Sequence, residues 1–266
     1  MPSVRTTDGV MLSFTDDGEG QPVVLVAGFS APATSWGRQA AALLDAGYRV
    51  VAVDRRSHGL SESPAFGQRM GRHGKDIDDV LTALDLSDAV LVGGSMGASA
   101  SWAYCDLVGT GRLRGMVSVD QTPKMVNGDG WEHGFYGLTH ANSGTFFDGG
   151  IPQTGRGFTV EQAAPGIMRM LELAGPGGLP GVQPETAPLL RDHAQQDWRD
   201  VVARLDVPVL MVAGRHSQYW PCEHAAAAVA GNPLARAVVL EDCGHAANFD
   251  RPDEFGEALL DFLRDL

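Results

Sequence analysis

The sequence predicts an α/β fold in which a doubly wound, mostly parallel sheet of eight strands carries helices on both faces, with a helical lid inserted before the last strands. Three observations predict it. Short apolar, β-branched runs recur along the chain, segments of helical period separate them, and one interval between two runs is too long for a simple crossover. A single domain with one large insertion accounts for all 266 residues.

The strands and helices are predicted from the change in hydrophobic period along the chain. Continuously apolar, valine-rich runs predict buried parallel strands, and we place seven of the eight strands at residues 10–15, 22–26, 48–53, 89–93, 115–119, 207–212 and 237–241. Apolar residues three and four positions apart predict amphipathic helices at residues 36–46, 74–86, 98–107 and 252–266. The alternation of the two patterns is typical of strand–helix–strand units.

The interval between the strands ending at Val119 and starting at Val207 spans about 85 residues, far more than a crossover needs. It contains two helical stretches, at residues 160–173 and 185–203, and two glycine-rich loops, at residues 143–157 and 174–181. Most of its aromatic and methionine side chains should form its own packing core, and some should roof a pocket. We predict a core domain of residues 1–120 and 206–266 and a helical lid of residues 121–205.

Composition and charge limit the functions open to this chain. Hydrophobic residues make up 44% of it, the formal net charge is −13, and no apolar run approaches the roughly 20 residues of a membrane-spanning helix. The negative charge opposes binding to nucleic acid and to anionic membranes, so we expect neither as a partner.

We expect Cys105, Cys222 and Cys243 to be buried thiols. Their odd number and the lack of a secretory signal predict a cytoplasmic protein.

The first catalytic candidate is a serine at the end of a predicted strand. That strand runs into Gly93-Gly94-Ser95-Met96-Gly97, a G-x-S-x-G pattern, and a helical pattern follows. The pattern places a serine hydroxyl on a tight strand-to-helix turn, where the glycines relieve side-chain clashes. We predict that Ser95 is a nucleophile and that the Met96 N–H, at the start of the helix, donates to an oxyanion.

The candidate base is a histidine near the C-terminus. His245 follows the last predicted strand, and Pro252 opens the last predicted helix. A neutral imidazole is the natural base for a serine hydroxyl, because its unperturbed pKa of about 6.5 lets it take up and return a proton near neutrality. Of the eight histidines, His245 therefore has the strongest sequence context.

Over nearly its whole length the chain resembles the α/β-hydrolase family, in particular its small bacterial lid-bearing serine esterases and non-heme peroxidase-like members. The resemblance rests on the elbow at Ser95, on residues 54–61 and on the segment from Gly244-His245 to Pro252. Residues 54–61 are similar to the family's D-x-R-G-H-G-x-S loop, with Ser57 in place of the glycine. The resemblance implies the chain order nucleophile, acid, histidine, and a structural role for His58.

The acid departs from the family's commonest pattern, in which an Asp ends a G-x-x-D turn after the lid. Here the turn reads Gly214-Arg215-His216-Ser217, and Ser217 cannot hold an imidazolium by charge. The predicted strand before the lid ends at Asp120, at the edge of the sheet where active sites gather, and some family branches carry the acid there. We predict Asp120 as the acid, although it could instead cap the lid's first turn. Asp242 and Glu223 are weaker alternatives, because one lies too near the catalytic histidine in sequence and the other should face solvent.

The rest of the site is predicted from one turn and from the apolar side chains. In the turn after the strand at residues 22–26, the Phe29 N–H matches the second oxyanion donor of the family. We expect four side chains to line the substrate pocket: Trp131, Phe135, His140 and Trp220. Three other histidines lie in polar helical stretches and are expected to be exposed: His73, His193 and His224.

These residues predict a serine hydrolase that cleaves a small hydrophobic carboxylic ester or lactone through an acyl-enzyme on Ser95, without a cofactor or metal ion. A serine at the elbow disfavours dehalogenase and epoxide hydrolase chemistry, which needs a carboxylate nucleophile. Two alternatives stay open. One is a cofactor-independent dioxygenase-like catalyst, in which His245 and Asp120 deprotonate an aromatic substrate. The other is a ligand receptor on the same fold. The sequence also leaves open a perhydrolase side activity and a homodimer.

Overall fold

The valine-rich runs of the sequence form one sheet in the computed structural model, which describes residues 1–174 and 181–266. The strands are β1 (Ser3–Arg5), β2 (Met11–Asp17), β3 (Pro22–Val26), β4 (Arg49–Val53), β5 (Ala89–Gly94), β6 (Leu113–Val119), β7 (Val209–Gly214) and β8 (Ala235–Leu240). Their order across the sheet is β1-β2-β4-β3-β5-β6-β7-β8. β2 pairs antiparallel with β1 and β4, and all other neighbours are parallel. The predicted eight-stranded, mostly parallel sheet is confirmed.

Helices cover both faces of the sheet, because successive residues of each buried strand point to opposite sides. On one face, α1 (Gly37–Asp45) and α9 (Pro252–Arg264) pack on residues such as Val23, Leu25 and Val92. On the other face, residues such as Val24, Val26 and Leu91 pack against α2 (Met70–Ala83), α3 (Met96–Val108), α6 (Arg199–Arg204) and α7 (Glu223–Val229). The remaining helices are α4 (Val160–Ala174), α5 (Ala187–Ala194) and α8 (Ala247–Asp250), and a 3-10 helix spans Ala33–Trp36.

The segment between β6 and β7 packs mainly onto the second face of the sheet, whereas its helix α4 contacts α8 and the 3-10 helix. We call residues 121–205 the insertion. Its aromatic rings pack edge to face, with centroids 5.5 Å apart for Phe135 and Phe146 and 5.4 Å apart for Phe135 and Phe147. The same hydrophobic cluster includes Leu189 of α5 and Trp102 of α3, so the insertion shares a core with the sheet.

Some elements differ from the predictions. The single helix predicted at residues 185–203 is two helices, α5 and α6, because Trp198 N–H donates to Pro123 O at 2.8 Å and so leaves the helical ladder. α7 was not predicted. The glycine-rich loop predicted at residues 174–181 lies largely outside the described residues. The three cysteines are buried and unbonded to each other, as predicted. No helix within the described ranges is long and apolar enough to cross a membrane.

Candidate active site

Ser95 lies on a strained turn between β5 and α3. Its backbone has φ of 50° and ψ of −126°, a conformation that costs of order 1–3 kcal/mol unless the surroundings hold it. Two hydrogen bonds do so: Ser95 N–H donates to Val119 O at 2.9 Å, and Ala98 N–H donates to Ser95 O at 2.8 Å. The turn leaves the half-buried Ser95 side chain at the rim of the sheet.

The glycines on either side of Ser95 are required by close backbone contacts. A Cβ on Gly93 would lie 2.5 Å from the N and Cα atoms of Ala98, and a Cβ on Gly97 would overlap the carbonyl oxygen of Val26. Any side chain at these two positions would push α3 away from β3 and β5. The G-x-S-x-G pattern is therefore a packing requirement of this turn.

The turn after β3 lies directly against Ser95. A Cβ on Gly28 would lie 3.2 Å from the Cβ and 3.8 Å from the Oγ of Ser95. The N–H of the next residue, Phe29, has no backbone acceptor among the described residues. Met96 is the first residue of α3, where N–H groups have no acceptor within the helix. Both N–H groups are thus available to an oxyanion formed at Ser95.

A buried arginine holds the turn after β3 from behind. Arg55 donates from Nε to Ala27 O at 2.8 Å and from Nη2 to Gly28 O at 2.9 Å, and two imidazole nitrogens, His58 Nε2 and His73 Nδ1, lie 3.1 and 3.0 Å from its guanidinium. Burial, reinforced by the charge of Arg55, lowers the pKa of His58 to about 3, so this imidazole is neutral. That suits a structural role for His58. The expectation that His73 is exposed was wrong, because it is buried in this cluster.

His245 follows β8 and is held by its neighbours in one orientation. Its Nδ1–H donates to Asp120 Oδ2 at 2.7 Å, and its backbone N–H donates to Gln218 Oε1 at 2.9 Å. The rings of Tyr219 and Trp220 pack edge to face against the imidazole, with centroids 4.5 and 5.3 Å away. A carboxylate can only accept, so Nδ1 carries the proton and Nε2 is the basic nitrogen.

Asp120 is fully buried at the carboxyl end of β6, and both of its oxygens accept hydrogen bonds. Gly214 N–H donates to Oδ1 at 2.9 Å, and the Ser217 hydroxyl donates to Oδ2 at 2.6 Å. Burial acts to raise the pKa of Asp120, but the interactions with His224 and His245 outweigh burial and lower that pKa to about 2. The carboxylate is therefore ionised at every physiological pH.

Two residues beside Asp120 were missed in the sequence analysis. Ser217, in the turn where the family commonly has its acid, donates to the acid instead. His224 of α7 is completely buried, with Nε2 3.7 Å from Asp120 Oδ1, so the expectation that it is exposed was wrong. The position of Ser217 in this turn could have predicted its contact with the acid, because a hydroxyl there faces the same imidazole–carboxylate pair.

Two cavities meet at Ser95. The large chamber, of about 270 Å³, has walls that include Trp36, Ser95, Met170, Gln218, His245 and Phe249. The small chamber, of about 30 Å³, has walls that include Ser95, Met96, Met125, Phe135, Leu190, His193 and Trp220. Phe29, Ile151 and Tyr219 line both chambers. An open groove of about 680 Å³ shares Phe29, Phe147 and Ile151 with the small chamber.

Residues 23–258 match the model of a family described as the alpha/beta hydrolase family. The chain belongs to this family. It is 31% identical to a non-heme chloroperoxidase from Streptomyces lividans, over 99% of this chain and 100% of that protein. Among solved structures, a bromoperoxidase from Bacillus anthracis has a TM-score of 0.81 at 24% identity, covering 99% of each chain. An esterase from Exiguobacterium antarcticum has a TM-score of 0.80 at 23% identity, covering 98% of each. Both structures show the same fold.

This alpha/beta hydrolase brings two of the four predicted pocket residues to Ser95. Phe135 and Trp220 line the small chamber. Trp131 packs inside the insertion, where its Nε1–H donates to Lys124 O at 3.0 Å. His140 was assigned to the pocket wrongly, because its side chain is 64% exposed and bonds to an exposed aspartate, Asp129, at 2.7 Å. His140 lies in a glycine-rich surface loop, and for this reason its side chain faces solvent and not the pocket.

Most of the large chamber of this alpha/beta hydrolase was missed in the sequence analysis. Trp36 is buried against Phe255 and also lines the chamber. Met170 and Gln218 come from distant segments, and only the folded chain brings them together. Within residues 1–174 and 181–266, no cluster of three or more His, Cys, Asp or Glu side chains is arranged to hold a metal ion.

Proposed function

We propose that this alpha/beta hydrolase is a serine hydrolase that cleaves small, hydrophobic carboxylic esters or lactones through an acyl-enzyme on Ser95. The observation that carries the proposal is the series of contacts from Asp120 to the chamber of Ser95. A buried, ionised carboxylate holds His245 through Nδ1, and His245 lines the same large chamber as Ser95. A serine on a strained turn beside two available N–H groups suits acyl transfer.

The proposed mechanism has two steps. The Ser95 hydroxyl attacks the ester carbonyl carbon, His245 Nε2 takes its proton, and the oxyanion accepts hydrogen bonds from the Phe29 and Met96 N–H groups. The C–O bond to the alcohol breaks, and His245 gives the proton to the leaving oxygen. Water, deprotonated by His245, then attacks the acyl carbon; the C–O bond to Ser95 breaks, His245 returns the proton to the Ser95 oxygen, and the carboxylic acid is released. Asp120 stabilises the imidazolium in both steps without being protonated itself.

The chamber walls support a small, uncharged substrate. Apolar side chains such as Trp36, Met170 and Phe249 line the large chamber, and Met125 and Leu190 line the small one. The two volumes together lie at the lower end of the roughly 300–1,000 Å³ typical of small-molecule sites. A net charge of −13 further disfavours anionic substrates. The similarity to an esterase is consistent with this substrate class.

The name of one relative favours a second activity of the same site. A chain that is 31% identical to a non-heme chloroperoxidase could use hydrogen peroxide in place of water in the second step. Peroxide would then attack the acyl-enzyme on Ser95, and the product would be a peracid and the free serine. We propose this perhydrolysis as a side reaction of the esterase, because both reactions need the same acyl-enzyme.

A panel of p-nitrophenyl esters and lactones, assayed before and after treatment with an organophosphonate, tests the proposal. We expect turnover of short esters, loss of turnover after treatment, and a mass increase on the peptide that contains Ser95. Ser95→Ala should be neither active nor labelled. The side reaction would be measured as the formation of a peracid from acetate and peroxide. The peracid is detected because it oxidises bromide.

Two further measurements, combined with the labelling of Ser95, separate the rival functions. Oxygen uptake with a hydroxylated heteroaromatic compound, retained in Ser95→Ala and lost in Asp120→Asn, would favour a dioxygenase-like enzyme. Tight binding of a ligand without turnover would favour a receptor. Either result, together with an unlabelled Ser95, would overturn the hydrolase proposal.

A further inference from the structure

The two chambers at Ser95 differ in their position relative to the catalytic imidazole. His245 lines the large chamber, whereas Met96 lines the small chamber. In the reaction proposed above, on which this inference rests, the leaving alcohol must lie beside the imidazole that protonates it. The alcohol part of an ester therefore occupies the large chamber, and the acyl part occupies the small one.

The small chamber limits the acyl part to a few atoms. Its volume of about 30 Å³ is room for about two water-sized groups, since one such group needs roughly 10–15 Å³ measured in this way. The side chains around it are mostly apolar, and they include Met125, Phe135 and Leu190. A short acyl chain fits, and a long one does not.

Two residues in the walls of this apolar chamber each carry a buried ring nitrogen that lacks a partner. His193 is 5% exposed, and its Nδ1 has no hydrogen-bond partner among the described residues; the same is true of the buried Nε1 of Trp220. Buried polar atoms in native proteins are nearly always hydrogen-bonded, so two unpaired ones on residues that line one chamber need an explanation. Both residues also line the chamber that holds the nucleophile, Ser95.

The chemistry of His193 decides which group it could bind. Burial, and then the charge of Arg55, lowers the pKa of His193 to about 3, so the imidazole is neutral at working pH. A neutral imidazole offers one donor and one acceptor, and the indole N–H of Trp220 offers a donor. A hydroxyl or a ketone oxygen satisfies these groups. A carboxylate does not suit the site, because no described cation lines the chamber to compensate its burial.

We propose that the preferred acyl group is short and carries an uncharged oxygen, a hydroxyl or keto group one or two carbons from the reacting carbonyl, which His193 binds in the small chamber. His193 is then a specificity-determining residue, because it distinguishes an acyl group with this oxygen from one with a methyl in its place. His193 lies on helix α5, and the alcohol part of the ester plays no role in this selection between acyl groups.

Matched pairs of phenyl esters test the proposal, because each pair exchanges one hydroxyl for a methyl. The pairs are 2-hydroxypropanoate with 2-methylpropanoate and 3-hydroxybutanoate with 3-methylbutanoate, each corrected for its rate of hydrolysis by hydroxide. In the wild type we expect kcat/KM to favour the hydroxyl ester of at least one pair by about tenfold. His193→Leu should abolish that preference, and His193→Gln should keep part of it.

Phe147→Leu is the matched control, since Phe147 lines the same chamber but has no polar atom. It should change absolute rates and leave the hydroxyl-to-methyl ratio unchanged. A wild type that shows no preference in either pair overturns this inference, whether or not the variants fold, and so does a ratio that His193→Leu leaves intact. If none of the four esters is hydrolysed and Ser95 is not labelled by the organophosphonate, the proposed function has failed instead.

Discussion

The carboxyl edge of the sheet and the insertion hold their side chains at Ser95 in different ways. At the edge, the Asp120 carboxylate accepts three directional hydrogen bonds, and backbone bonds hold the strained turn of Ser95. In the insertion, side chains such as Phe135 and Phe147 pack on one another, and α4 exposes Ile167 and Met168 to solvent. Catalysis should therefore be sensitive to single atoms at the edge, whereas selectivity should respond to the volume of side chains in the insertion.

The largest expected effect is at the edge. Asp120→Asn keeps the size of the side chain but removes the charge that holds His245 as the Nδ1-protonated tautomer. We expect kcat to fall by about 10³- to 10⁴-fold with the fold intact, measured with a short p-nitrophenyl ester. Asp242→Asn is the control, since that carboxylate is 79% exposed, and it should behave as the wild type. If Asp120→Asn is near wild type and Asp242→Asn is inactive, Asp120 is not the acid.

The same carboxylate should make the stability of the protein depend on pH. Its pKa is about 2 in the folded protein and has an ordinary value of 3.8 in the unfolded chain. A lowered folded pKa stabilises the protein above pH 3.8, here by about 2 kcal/mol, and this contribution is lost as the pH falls towards 2. In urea unfolding, the difference in free energy between wild type and Asp120→Asn should shrink by about half of that amount between pH 6 and pH 3. A difference that is constant with pH would contradict the ionised network.

A smaller effect is expected from the hydroxyl that supports the carboxylate. Ser217→Ala removes the 2.6 Å bond to Asp120 Oδ2, and hydrogen bonds to charged groups contribute about 1.5–3 kcal/mol. We expect kcat to fall by about tenfold, because the carboxylate keeps its other two bonds. Ser118→Ala is the matched control, since this buried hydroxyl has no partner within the described residues. Equal losses in the two variants would mean that Ser217 acts only through packing.

The edge of the sheet was largely predictable from the sequence, for a physical reason. Strand and turn patterns are local, so the motif around Ser95 and the strand end at Asp120 could be interpreted from a few consecutive residues. The partners of Asp120 could not be predicted in the same way. Ser217 and His224 come from a loop and a helix that meet the carboxylate only after β7 has paired with β6 and β8 with β7.

The insertion was predicted less well because its contacts are not local. The helix predicted over residues 185–203 is interrupted by a hydrogen bond to Pro123. His193 was expected to be exposed because charged residues flank it, yet Leu189 and Leu190 lie four and three positions before it and form the buried face of α5. This helical spacing could have predicted that His193 is buried.

The smallest expected effect is at Ile151, the side chain of the insertion that lines both chambers and the open groove. Ile151→Ala should enlarge the small chamber and shift kcat/KM by a few fold towards longer acyl chains. The unfolding free energy should change by no more than about 0.5 kcal/mol, because the side chain is partly exposed already. Met168→Ala is the control: this residue is more exposed and borders neither chamber. If Ile151→Ala lowers kcat for every ester equally, the insertion supports catalysis as directly as the edge of the sheet does, and the division between them does not hold.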